Sequence, residues 1–456
     1  MTRGARAALM LALLVTGAQA GRAAAQGTPV TPAPRRAPAL PFHPPMAPLA
    51  APAMPPPPAP PRPLPAPVQA PRGLPPPRYL IEVLTFGPGD HPFTRFGHDA
   101  IRVVDRLAQR DVVYNFGTFS LTPGFISDFL RGRLRYWLSV SSTGPALEEY
   151  RLENRSIEAQ GLALSPGAAA ELVRRLEENA LPQNRAYRYD YFRDNCATRV
   201  RDVLDAVTGG AVHAAAAVAG TETLRGQALR MAADDLPFYL ALSVVLGPAT
   251  DRPIDAWSEA FLPQMLQRTL RLTRLSDPPA RALVANERVV FAAKRPLPRP
   301  AAPRWGIPFL AAGVAAGLLF LLLGLAGRRR VLARVLLGAL LAITGAALGF
   351  VGTFLLGAWL FTPHAVVYRN QNILLCAPFA LALALLGWGV AFGWAGAIRK
   401  AFLVTAAALG LAALGLLIKP LAAHQDNGAL LAFALPMWLG ATAALSKLKT
   451  RAAPST

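Results

Sequence analysis

The sequence predicts a mixed α+β domain followed by a C-terminal bundle of five transmembrane helices. Three observations lead there. The 456-residue chain is 53% hydrophobic with a mean hydropathy of +0.32, which is too apolar for a wholly soluble protein of ordinary composition. The long apolar runs are not spread evenly but gather after Arg304. Between about Tyr79 and residue 303 the apolar residues instead recur with the short periods of strands and amphipathic helices.

Charge follows the same division. The net charge of +21 looks like a nucleic-acid signature until it is split by region. Residues 1–81 carry eight Arg and no acid, and residues 304–456 carry twelve Lys or Arg against Asp426 alone. The middle, 82–303, holds 27 basic and 25 acidic residues and is close to neutral. The excess is therefore a membrane-topology signal, and no nucleic-acid partner is expected.

Taken in order, Arg3 and Arg6, the apolar run from Ala7 to about Val15 and the Ala-Gln-Ala at 18–20 have the layout of a secretory signal ending near residue 20. Residues 21–78 hold 22 of the 44 prolines, mixed with Ala and Arg, and read as an extended tether. The folded domain is expected over 79–303. YLIEVLTF from Tyr79 is strand-like, HDAIRVVD from His98 alternates through Ile101 and Val103, and DVVYNFG at 111–117 reads as a third strand. Helices are expected from there on: PGFISDFLRGRL, then PGAAAELVRRLEENA behind a Ser165 cap, then CATRVRDVLDAV with Val200, Val203, Leu204 and Val207 at helical spacing. Residues 211–290 read as mostly helical.

Five apolar spans follow, near 306–327, 336–360, 373–396, 401–418 and 428–445, each about the length needed to cross a bilayer. Arg328, Arg329, Arg330 and Arg334 follow the first, Arg399 and Lys400 the third, and Lys447, Lys449 and Arg451 the fifth; the other two loops carry only Arg369 and Lys419. The positive-inside rule then faces the 79–303 domain outward and the C-terminus to the cytoplasm. The expected location is the inner membrane of a bacterium, with that domain in the periplasm.

Cys196 is the only cysteine outside the spans. Asp194 and Asn195 are good capping residues, which puts Cys196 in the first turn of a helix. Its amides and macrodipole, with Arg199 three residues on, favour a thiolate and so a nucleophile. His98, opening a strand on the face opposite Ile101 and Val103, is the candidate base. Asn115 is the first choice for a residue that orients the imidazole, with Tyr114 and Asp105 behind it. No metal-ligand spacing, phosphate loop or G-x-S-x-G elbow is present, and no cofactor is called for. Cys376, inside the third span, reads as packing. The outward loops bearing His364, Arg369, Asn370, Gln371 and Asn372, and His424 to Asn427, fall at headgroup level and are candidate substrate contacts, as are Tyr114 and Arg199 nearer the thiol. Trp137, Tyr136 and Phe125 could line an acyl groove and read more readily as core.

The stretches FGHDAIRVVD, VYNFGTF, FLRGRLRYWL, Tyr150 with Arg155 and Gln160, YDYFRDNCATRVRD and HAVVYRNQN together resemble the bacterial proteins that carry the Lnb N-terminal periplasmic domain. The resemblance extends over most of 79–303 and into the spans. It implies a permuted papain-like (NlpC-type) core, histidine strand first and cysteine helix later, with Cys196 as nucleophile and His98 as base. It also implies lipoprotein N-acylation, in which an acyl chain passes from a membrane phospholipid through a Cys196 thioester to the α-amino group of a lipoprotein's lipidated N-terminal cysteine. The alternatives are a cysteine hydrolase of the same fold acting on cell-wall peptide or lipid ester, and a non-catalytic membrane-assembly module.

Overall fold

The computed structural model describes residues 76–120, 125–276, 280–420 and 424–448. The expected signal segment and all but the last three residues of the expected tether lie outside the described residues.

Strands β1 (Tyr79–Phe86), β2 (His98–Asp105) and β3 (Arg110–Thr118) form where the alternation placed them. The next stretch differs from the helical expectation. After the short α1 (Phe125–Leu130) come β4 (Arg135–Ser142), α2 (Thr143–Leu152), β5 (Ile157–Leu162), α3 (Pro166–Ala180) and β6 (Ala186–Arg188) before the cysteine helix α4 (Cys196–Val207). Residues 211–290 are helical through α5 (Ala211–Ala216), α6 (Leu224–Met231), α7 (Leu236–Val245), α8 (Ala256–Glu259) and α9 (Pro263–Leu272). They end in a small hairpin, β7 (Arg274–Leu275) and β8 (Arg281–Ala282), and a long strand β9 (Val284–Phe291).

The main sheet is antiparallel with the order β6-β4-β3-β2-β1-β5-β9. Strand β1 is buried on both faces, which is why its sequence is a nearly continuous apolar run. Ile81, Val83, Ile101, Val103 and Tyr114 face a core shared with α3, α4 and α9, through Leu172, Val200, Leu204 and Leu266. Leu84, Phe86, Ala100 and Val113 face α2, through Ala146, Leu147 and Tyr150. The cysteine helix and the α2 helix therefore lie on opposite faces of the sheet.

Four helices among the described residues are long and apolar enough to cross a membrane: α10 (Gly306–Gly327), α11 (Val331–Phe361), α13 (Ala395–Leu417) and α14 (Gly428–Lys447). The expected third helical span is a correction. Its segment is a series of 3₁₀ turns, Gln371–Leu374 and Pro378–Leu381, leading into α12 (Ala382–Phe392). At 1.5 Å per residue α12 is about 16 Å long, roughly half a hydrocarbon core. Pro378 lacks an N–H, and Asn370 turns its side chain onto the backbone N–H of Asn372, so a helix cannot run through. The irregular backbone is sealed in protein instead, as apolar surroundings require. The Cys376 carbonyl lies where a Cβ on Gly352 would be, and Trp438 Nε1 donates to the Leu375 carbonyl at 3.2 Å. Cys376 is buried in this packing.

The expected domain and the bundle pack within one compact unit that includes residues 77–448. Helix α7 joins them. A helix C-terminus leaves carbonyls without intrahelical partners, and those of α7 are met by side chains from the bundle loops. Asn370 Nδ2 donates to Val244 and Val245, each at 2.8 Å. Asn372 Nδ2 donates to Ser243 and Val244 at 3.1 and 2.9 Å, and Gln425 Nε2 to Leu246 at 3.1 Å. The arginine-bearing loops lie together at the other end: Gly327 sits against Arg334 and Leu448, and Gly393 against Arg334.

Candidate active site

The chain is brought to Cys196 by a full capping box. Asn195 Oδ1 accepts from Thr198 N at 3.0 Å while Thr198 Oγ1 accepts from Asn195 N at 2.8 Å. The remaining Asn195 amide hydrogens go to the carbonyls of Tyr191 (2.9 Å) and Phe261 (3.0 Å). Every polar group of the cap is used, which fixes Cys196 as the first residue of α4.

His98 begins β2 after Gly97, which has φ +82°, and its ring lies over Phe86 and Tyr150 at 6.0 and 6.1 Å. His98 Nε2 is 2.7 Å from Asn115 Oδ1. An amide oxygen only accepts, so Nε2 carries the proton and Nδ1 keeps its lone pair. Tyr150 packs on Phe86, with ring centroids 3.6 Å apart, and carries the Arg155 guanidinium over its ring at 4.7 Å.

Gly117 locates the thiol relative to this ring. A Cβ there would stand 3.2 Å from His98 Cε1, 3.8 Å from His98 Nδ1 and 3.6 Å from Cys196 Cβ. The unprotonated side of the imidazole and the cysteine thus converge on a glycine whose φ of +108° suits no other residue.

Burial shifts both groups toward their neutral forms. Burial, helped by the positive charge of Arg155, pushes His98 down to about 4 despite the Asn115 bond. Burial, with the Asp99 carboxyl beside it, pushes the Cys196 thiol up to about 12, against backbone hydrogen bonds at Asp99 and Ala197 that favour the thiolate. Burial thus works against the depressed thiol expected from the helix terminus. Asp99 is itself fully buried, with Oδ1 accepting from Thr85 Oγ1 at 2.8 Å, and burial lifts it to about 7.

The cysteine and histidine open into an apolar cavity of about 250 Å³. Phe119, Tyr136 and Tyr189 line it on the sheet side, α7 contributes Phe238, Leu242 and Val245, and α11 contributes Phe354 and Ala358 with its C-cap Thr362. Tyr136 therefore faces the cavity, while Phe125 is core.

Several candidates lie elsewhere. Arg199 is held by Asp194 at 2.6 and 2.8 Å and stacks on Tyr187, so it is committed to its own helix end. The cation that acts on both the thiol and the imidazole is Arg155, whose Nε donates to the Gly87 carbonyl at 2.8 Å. Tyr114 points into the α4 side of the core and is absent from the cavity wall. Asp105 pairs with Arg78 at the far end of β2. Asn370 and Asn372 are buried and spend their amide groups on α7 and on each other, so they are docking residues and not free for a substrate. Arg369 is exposed, with φ +54°. His364 does line the cavity, with Nε2 2.6 Å from the Phe129 carbonyl. Sequence reasoning gave no role to Asp99, Gly117 or the α7 wall, and quoted Tyr150 and Arg155 only as part of a resemblance. Among the described residues no cluster of His, Cys, Asp or Glu could hold a metal ion.

An antiparallel α+β domain carrying this thiol and imidazole, set on apolar helices of membrane-crossing length, defines a membrane protein with one extramembrane domain. Residues 74–226 match the family model of the Lnb N-terminal periplasmic domain. The match includes His98, Asn115 and Cys196 and stops before α7 and the bundle, short of the wider reach the resemblance suggested. No curated protein and no solved structure matches the chain.

Proposed function

We propose that the protein is a bacterial inner-membrane thiol acyltransferase that moves an acyl chain from phospholipid, through a thioester on Cys196, to the α-amino group of a lipoprotein's lipidated N-terminal cysteine. The domain stands in the periplasm, and the permuted papain-like arrangement implied by the family governs the site. The observation that carries the reading is the cavity, with a thiol and an imidazole at its polar end and apolar walls drawn from both the domain and a membrane-length helix. At about 250 Å³ it lies below the roughly 300–1,000 Å³ of ordinary small-molecule sites. Such a space suits one hydrocarbon chain better than a stretch of cell-wall peptide.

In the first half-reaction His98 Nδ1 takes the Sγ proton as sulfur attacks the ester carbonyl. The ester C–O bond breaks, and His98 returns the proton to the departing lipid hydroxyl. In the second half the neutral α-amine attacks the thioester and gives one proton to His98. The C–S bond breaks, and that proton restores the thiol. Because burial favours the neutral forms of both groups, proton transfer accompanies attack. Asn115 holds the tautomer. Membrane attachment keeps both substrates close to the site, and positioning supplies much of the barrier reduction.

Mass spectrometry of lipoprotein N-termini, in cells that depend on this protein for N-acylation, tests the reading. N-acylation is expected with the wild type and lost with Cys196→Ser; His98→Ala should slow it by about 10²–10⁴-fold. N-termini that are indifferent to the protein would refute the transferase, and free fatty acid released without an acylated amine would indicate the hydrolase. N-acylation that survives Cys196→Ser would refute the assigned nucleophile.

A further inference from the structure

Two residues of α11, Phe354 and Ala358, and its C-cap Thr362 line the same cavity as Cys196. They are spaced i, i+4, i+8 and so form one stripe down a single helix face. At 1.5 Å per residue the stripe runs about 12 Å from the outer end of the helix toward the middle of the bundle. Phe238, Leu242 and Val245 of α7, also one face of one helix, line the same cavity. One wall of the cavity thus belongs to the domain and the other to a membrane-length helix. None of the described lining residues is Asp, Glu, Lys or Arg. A phosphate or a charged peptide group would have no partner there, whereas a methylene chain gains by leaving water.

We propose that α7 and α11 form a slot for the hydrocarbon tail of a membrane lipid, entered past Ala358 and floored by Phe354, so that the tail stays at bilayer depth while its ester rises to Cys196. This rests on Cys196 as the acyl-accepting nucleophile, and it adds where the chain lies and which residues measure it. Continuity with α11 decides the occupant, because the slot is an extension of the apolar helix surface. Ala358 presents only a methyl group to the slot, so a larger side chain there would narrow it. Phe354 is the stop, and removing its ring would lengthen the slot.

The test uses the full-length protein in lipid nanodiscs and N-alkylmaleimides from methyl to hexadecyl, with Cys196 modification read by peptide mass spectrometry so that Cys376 does not contribute. The reading is the ratio of long-chain to methyl rates. Ala358→Trp is expected to lower that ratio by about tenfold for every two methylenes excluded. Phe354→Ala is expected to move the best chain length upward. A ratio unchanged in both variants, or rates that fall together at every chain length, would overturn the slot. If the ratios shift as expected while lipoprotein N-termini stay unacylated by the wild type, the slot stands and the transferase reading falls.

Discussion

His98 and Cys196 are each pushed toward neutrality by the same cause, burial among aromatic side chains, and this sets how the thiol behaves in solution. A thiol raised to about 12 is almost wholly protonated at pH 7, so its thiolate fraction keeps growing as pH rises. An imidazole lowered to about 4 stays neutral at any pH above that and is available as a base at neutrality. Alkylation of Cys196 by iodoacetamide should therefore be slow at pH 7 and continue to climb through pH 10. A plateau reached by about pH 7 would mean a preformed thiolate–imidazolium pair and would contradict this picture. The thiol, its cap and the imidazole were legible in the sequence because capping chemistry is local: Asp194 and Asn195 mark the helix start, and Asn195 is the residue that caps it. Arg155 and Asp99 were not legible as neighbours of the thiol. Their effect depends on β2 and the turn after α2 meeting the N-terminus of α4, and nothing in the spacing of these residues encodes that meeting. Arg199 was misjudged for a related reason: a guanidinium near a helix start goes first to the carboxylate within reach, here Asp194.

At the scale of elements, α7 decides whether the cavity has a second wall, and it is held by hydrogen bonds to its last carbonyls. Asn372→Ala removes the donor to Ser243 and one of two donors to Val244, and it strips Asn427 Nδ2 of the Asn372 Oδ1 acceptor at 2.8 Å. Leaving such buried groups unpaired should cost about 1–3 kcal/mol. The outcome should appear as lower thermal stability of the full-length protein and faster amide exchange across the last turn of α7. Unchanged exchange there would show that these contacts do not hold the helix. The same asparagines were read from sequence as headgroup contacts, since an Asn-rich loop between apolar spans looks solvated until a helix end is brought against it. The third span failed for a kindred reason. Its hydropathy is that of a helix, but Pro378 interrupts it, and the packing of Gly352 and Trp438 makes the broken form tolerable. Strand β9 escaped notice because it is an edge strand with mostly exposed residues, stabilised by its ladder with β5 and not by alternation of its own.

For the whole molecule, the central idea is a division of labour across an interface: the sheet and α4 supply the reactive groups, and the bundle supplies the apolar wall beside them. The block of apolar helices after Arg304 was plain from composition. Its role as part of a site was not, because no single segment reveals that the end of α11 lines the cavity beside Cys196; at 31 residues it is about 46 Å long against a hydrocarbon core of roughly 30 Å. The measurement that bears most directly on the account is peptide mass spectrometry of the purified full-length protein after incubation in phospholipid vesicles without an amine acceptor. An acyl adduct is expected on the peptide containing Cys196, removable by neutral hydroxylamine and missing in Cys196→Ser. No adduct at that cysteine, or one that persists at another residue in Cys196→Ser, would contradict the account.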